Sequence, residues 1–122
     1  MYELKVVSHF SAAHRLKDFE GNCERLHGHN WKVEVYVTSS SLNKVGLVLD
    51  FGIIKQKTQE VLKELDHQYL NELPAFAHQN PSSENIAQFI FDKLNKSLDT
   101  PNVHISKVAV WESENACAAY SK

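Results

Sequence analysis

Cysteine is scarce: Cys23 and Cys117 are the only two in 122 residues. Two thiols make a poor disulfide framework, so the expectation is a chain that works in a reducing cytoplasm. Long apolar runs are missing as well, and every stretch falls far short of the roughly 20 residues that cross a bilayer. The opening MYELKVVSHF has no leader pattern, so neither a signal peptide nor a membrane anchor is expected. Charge of one sign is not in excess either. Lys and Arg total 13 against 15 Asp and Glu, a net charge of −2, which gives no general pull toward nucleic acid or anionic membrane. Arginine is limited to Arg15 and Arg25. Repeats, low-complexity tracts and linkers are absent, and so is a glycine-rich dinucleotide fingerprint. What remains is an ordinary globular composition, 43% hydrophobic and 23% charged, at a length that suits one domain over residues 1–122. Against these shortages stands one excess, seven histidines.

The hydrophobic pattern organises the chain into six elements. Tyr2, Leu4, Val6, Ser8, Phe10, Ala12 and His14 fall on one face of an alternating segment, which predicts a strand over 2–14. Residues 15–26 are polar, contain Gly21-Asn22, and read as a loop. HNWKVEVYV, from 29 to 37, alternates again and is rich in β-branched and aromatic side chains, a second strand. After a turn through Gly46, Asp50 can cap a helix over about 52–65, in which Ile54, Thr58, Val61, Leu62 and Leu65 recur at helical spacing. An irregular segment ends at Pro81. Ser82 and Ser83 can then cap a second helix with an apolar stripe of Ile86, Phe89, Ile90 and Leu94. Val103 to Glu112 alternates as a third strand, and Ala116 to Tyr120 is a short fourth. The order ββααββ predicts an α+β fold, a four-stranded antiparallel sheet with both helices on one face. The bare face then needs cover, and in so small a chain another copy of itself is the expected cover.

Three of the histidines sit where strand geometry can bring them together. His27 and His29 flank Gly28, and period-two geometry aims both rings to one side about 7 Å apart. His14 ends the neighbouring strand, so antiparallel pairing can place it alongside. Three neutral imidazoles suit Zn²⁺ and leave its fourth position open for water or substrate. Isolated histidine pairs are common without any metal. Cys23, four residues before His27, could also close the tetrahedron, which would make the zinc structural rather than catalytic. The spacing alone leaves both alternatives open.

Other chemistry-bearing groups lie near this cluster in sequence. A Cys23 thiol close to a metal and a histidine would be deprotonated more readily, giving a base or nucleophile near neutral pH. Asp66 and His67 are adjacent, and adjacent helical residues diverge. They can cooperate only beyond the last helical turn; otherwise His67 simply suits the helix C-terminus. Glu112 closes an apolar strand and is either exposed or reaching into a pocket, where its carboxylate could accept two parallel N–H bonds from a guanidine-like edge.

Taken together, FSAAHRL (10–16), CERLHGHNW (23–31), LVLDF (47–51), LDHQYLN (65–71), NPSSEN (80–85) and VWESE (110–114) resemble the 6-pyruvoyl-tetrahydropterin synthase superfamily. The match covers nearly the whole chain in order. The C-x-x-x-H-G-H spacing is similar to that of its bacterial 6-carboxytetrahydropterin synthases, whereas the 6-pyruvoyl enzymes of biopterin synthesis carry a longer insert there.

The resemblance implies the tunnelling fold, and trimers that stack in pairs into a homohexamer with active sites between subunits. It implies His14, His27 and His29 as zinc ligands, Cys23 as catalytic base, and His67 and Glu112 as its relay with Asp66 beside them. Glu112 also matches the pterin anchor, and Ser82, Ser83, Glu84 and Arg25 are candidate substrate contacts. The implied reaction converts 7,8-dihydroneopterin triphosphate to 6-carboxy-5,6,7,8-tetrahydropterin, acetaldehyde and triphosphate in queuosine synthesis. A 6-pyruvoyl synthase and a non-catalytic zinc module are the rival expectations. Partners are expected to be the small-molecule substrate and copies of the chain, not nucleic acid or membrane.

Overall fold

Alternation at the two ends of the chain yields one antiparallel sheet, and the helical periodicity between them yields its cover. A computed structural model describes residues 1–18, 24–98 and 100–122. Strands β1 (Tyr2–His14) and β2 (His27–Ser39) precede helices α1 (Phe51–Leu62) and α2 (Ser83–Ser97). Strands β3 (His104–Ser113) and β4 (Ala116–Ser121) follow them. Spatial order equals sequence order, β1-β2-β3-β4. Helix α1 packs against β1, α2 against β3 and β4, and the helices against each other.

Burial follows the pleat. Val6, Phe10, Ala12 and His14 of β1 point inward, as do Trp31, Val33, Val35 and Val37 of β2. They meet Ile54 and Leu62 of α1 and Ile86, Ile90, Phe91 and Leu94 of α2. On β3 the inward residues are Ile105, Val108 and Val110. The gap of three between the first two is absorbed by a bulge, where the register slips between Tyr36 and Val37. Among the described residues, no second layer covers the opposite face. There Glu34 is held by Lys5 Nζ at 3.1 Å and the Trp111 indole N–H at 2.5 Å. Burial alone would raise the Glu34 pKa, but the Trp111 and Lys5 bonds outweigh it and hold the carboxyl below its ordinary value.

Two expectations need correction. Helix α1 ends at Leu62 rather than at 65: the chain leaves through turns, and His67 takes a left-handed φ of 59°. Leu65 is still fully buried inside that turn, so it shares the helical periodicity without being helical. Phe89 is only half-buried and stacks at a tilt on Phe76, while Ala87 and Phe91 fill the α2 stripe. Asp50 and Ser82 do cap the two helices, accepting from the backbone N–H groups of Gly52 and Asn85.

Trp31 joins core and histidine cluster. Its ring is fully buried, its Nε1 donates to the Ala12 carbonyl at 3.3 Å, and its centroid lies 5.0 Å from His14 and 5.2 Å from His29. Trp31→Ala is expected to lower unfolding free energy by about 3–5 kcal/mol in denaturant titration. A loss below about 1 kcal/mol would contradict this packing.

Candidate metal centre and active site

Strand pairing assembles the histidines. In the β1–β2 register His14 lies opposite His27 and Ala12 opposite His29, so three rings of alternating positions share one side of the sheet. Their centroids are separated by 4.7 Å (His14–His27), 5.3 Å (His14–His29) and 4.7 Å (His27–His29). One ligand atom from each, together with a Glu112 carboxylate oxygen, lies within 4.8 Å of the others.

The hydrogen bonds behind the rings fix which nitrogen is free. His14 Nδ1 meets the Pro81 carbonyl at 2.7 Å, and His27 Nδ1 meets the Arg25 carbonyl at 2.8 Å. A carbonyl can only accept, so both Nδ1 atoms carry the proton and both Nε2 atoms present lone pairs inward. Among the described residues, the buried Nε2 atoms of His14 and His29 have no hydrogen-bond partner. Glu112 adds oxygens 3.4 Å from His29 Nε2 and 3.9 Å from His14 Nε2. Acceptors converging on one point repel unless a cation lies among them. The donor set therefore fits a divalent metal such as Zn²⁺, held by His14, His27 and His29 with Glu112 in reach as a fourth group. His29 is suited to that role: burial first, then the neighbouring His27 and His14, lower its pKa against the opposing pull of Glu112, which keeps the imidazole neutral.

The remaining candidates divide between this centre and its margin. Ser83 Oγ donates to Glu112 Oε2 at 3.4 Å, at the start of α2. Ser82 is occupied in capping that helix, Glu84 is exposed in its first turn, and Arg25 is exposed while its carbonyl serves His27. Asp66 and His67 lie past the end of α1, as cooperation requires, with His67 Nδ1 3.0 Å from Asp66 Oδ2. The Asp66 carboxylate also accepts the Ser11 backbone N–H at 2.9 Å. That bond first, and His67 second, hold its pKa below the ordinary value despite some desolvation. His67 and His29 line one open cleft of about 510 Å³ with Ser11, Gly28, Asn30 and Tyr69. Cys23 lies outside the described residues. The sequence reading did not foresee Glu112 as a possible metal ligand. Only the β2–β3 register, Lys32 opposite Trp111, brings the end of β3 to the histidines.

The architecture and site agree with what the chain is similar to. A 6-pyruvoyl tetrahydropterin synthase family model matches residues 3–122, and the chain belongs to that family. The 6-carboxy-5,6,7,8-tetrahydropterin synthase of Synechocystis is 40% identical over 116 residues, 91% of this chain and 86% of that protein. A Pyrococcus furiosus protein named dihydroneopterin monophosphate aldolase is 39% identical over 103 residues, 84% of this chain and 82% of that one. The structure of Caenorhabditis elegans 6-pyruvoyl tetrahydropterin synthase superposes with a TM-score of 0.86 at 26% identity, covering 99% of this chain and 95% of that one. The tunnelling fold implied by the sequence motifs is thus the fold found. Among the described residues, no helix is long and apolar enough to cross a membrane.

Two outcomes follow from the centre. His27→Ala should abolish stoichiometric metal binding, read by elemental analysis after dialysis; full metal content would refute the ligand assignment. In the metal-free protein, His29 binds protons less readily folded than unfolded, so unfolding takes up protons. Stability is then full above the ordinary imidazole pKa of about 6.5 and falls as pH drops below it. Melting temperatures of the metal-free protein across that window should show this slope, and His29→Gln should flatten it. An unchanged slope would contradict the lowered pKa.

Proposed function

We propose that this chain is a zinc-dependent lyase acting on 7,8-dihydroneopterin triphosphate. With one water, the substrate yields 6-carboxy-5,6,7,8-tetrahydropterin, acetaldehyde and triphosphate, a step toward the 7-deazaguanine base queuosine. The observation that carries the reading is the convergence of unpartnered imidazole nitrogens and a Glu112 carboxylate on one point. Its support is the 40% identity to a protein bearing the corresponding name.

Zn²⁺ bound by His14, His27 and His29 would supply Lewis acidity toward the substrate's side-chain hydroxyls. The chain's own groups do the rest. Asp66 orients His67 through Nδ1, which turns Nε2 outward, free to hold or release a proton in the cleft. Cys23 is assigned as the second proton-transfer group, shuttling hydrogen between side chain and ring. Glu112, steadied by Ser83, accepts the paired N–H groups of the 2-amino-4-oxo ring edge. The ring is reduced by hydrogen moved from its own side chain, so the reaction consumes no nicotinamide or flavin. The sheet face without a second layer supports assembly into a homohexamer of two trimers, with active sites between subunits. The cytoplasm is the assigned compartment, in keeping with the scarcity of cysteine.

The Pyrococcus relative favours a second reading, an aldolase that splits the side chain between its two hydroxyl-bearing carbons, leaving a hydroxymethyl group on the ring and releasing a two-carbon aldehyde that keeps its phosphate. Mass analysis after incubation with dihydroneopterin triphosphate separates these. Acetaldehyde and the carboxy product support the lyase; a hydroxymethyl ring product with a phosphorylated two-carbon aldehyde supports the aldolase; a three-carbon side chain retained on the ring supports a 6-pyruvoyl synthase. Cys23→Ala should keep metal and fold while turnover drops on the order of 10²–10⁴-fold. Loss of metal in that variant would make Cys23 a ligand instead.

A further inference from the structure

Among the described residues no strand pairs with the outer edge of β1, yet between Ser11 and Lys17 backbone groups on that side find partners. At Ser11 and Ala13 the segment after α1 supplies backbone partners: His67 N–H donates to Ser11 at 2.6 Å, and Ala13 N–H donates to Gln68 at 3.0 Å. Past that point two side-chain amides take over. Asn71 Oδ1 accepts the Arg15 N–H and its Nδ2 donates to the Arg15 carbonyl, both at 2.9 Å. Asn80 Oδ1 accepts the Lys17 N–H at 2.8 Å and its Nδ2 donates to the Lys17 carbonyl at 2.9 Å. A primary amide has one acceptor and a donor side by side, which is the pair a neighbouring strand would offer. Residues 11, 13, 15 and 17 are therefore zipped along one edge, with a metal-ligand candidate, His14, in the middle.

Asn80 is also tied at its own backbone. Its carbonyl accepts from Asn85 Nδ2 at 2.8 Å, and the next carbonyl, Pro81, is the one that receives His14 Nδ1. The bonds that fix the chain on either side of His14 and the bond that fixes its ring thus run through the same short stretch of residues. We infer that Asn71 and Asn80 are positioning residues for the metal centre. They substitute for a missing strand, hold His14 in register, and set the Pro81 carbonyl that selects its tautomer.

The inference rests on the metal centre of the proposed function, and its test reads metal affinity rather than turnover. Zn²⁺ affinity is measured by competition with a chromophoric chelator for the wild type, Asn71→Ala, Asn80→Ala and the control Asn43→Ala. Asn43 makes two comparable backbone contacts, to Val45 and Leu47 at 3.0 Å, in the turn before α1. Groups that orient metal ligands typically contribute 10–100-fold to affinity, so Asn71→Ala and Asn80→Ala should bind about that much more weakly. The visible spectrum of bound Co²⁺ should shift with them, and Asn43→Ala should match the wild type. Unchanged affinity in both site variants, or equal weakening in Asn43→Ala, overturns the inference. Where an alanine variant does not fold, Asn80→Asp decides, because its carboxylate keeps the Lys17 N–H bond but sets an oxygen against the Lys17 carbonyl. Weakened affinity there supports the role, and wild-type affinity overturns it. A wild-type protein that binds Zn²⁺ without converting the pterin defeats the functional reading and leaves the positioning role intact; one that binds no Zn²⁺ overturns both.

Discussion

The antiparallel pairing of His14 with His27 is the constraint on which the centre depends. A slip of one residue between β1 and β2 would send one set of imidazoles to the opposite face and separate the rings. The register is held by the same alternation that fills the core, since Val6, Phe10 and Ala12 lie on the face that carries His14, and Trp31, Val33 and Val35 on the face that carries His29. Function and packing are therefore written in one period-two pattern. Trp31 makes the coupling physical, with one surface in the core and another against two of the rings.

Once the rings are gathered, electrostatics decides what the site wants. Carbonyls behind His14 and His27 force their protons outward and their lone pairs inward, and the Glu112 carboxylate adds more negative density to the same point. Left alone this is a cluster of unsatisfied acceptors in a partly desolvated place, which costs stability. A divalent cation reverses the sign of that cost. The Asp66–His67 pair lies along the outer edge of β1, with His67 lining a cleft beside Ser11, Gly28 and Asn30, positions that alternate with those of the three imidazoles.

How much of this could be read from the sequence differs by element. The strands, the order ββααββ, the caps at Asp50 and Ser82 and the three histidines were legible because each follows from side-chain periodicity or local hydrogen bonding. The end of α1 was not, because Leu65 is buried in a turn and mimics helical spacing, and the left-handed residue in the turns that follow is His67 rather than a glycine. Phe89 misled for a related reason: an aromatic ring at helical spacing packs on Phe76 at the margin instead of entering the core. Asn71 and Asn80 looked like ordinary loop residues, since no sequence pattern distinguishes an amide that replaces a strand from one facing water. The place of Glu112 depends on the β2–β3 register and on a bulge, both tertiary facts.

The central claim is an open centre built of three imidazoles rather than a closed one that includes a thiolate. Zinc K-edge X-ray absorption of the purified protein tests it directly. The coordination sphere should hold nitrogen and oxygen only, with three imidazoles at about 2.0–2.1 Å and one further light atom. A sulfur scatterer at about 2.3 Å would contradict it and make the zinc a structural clamp.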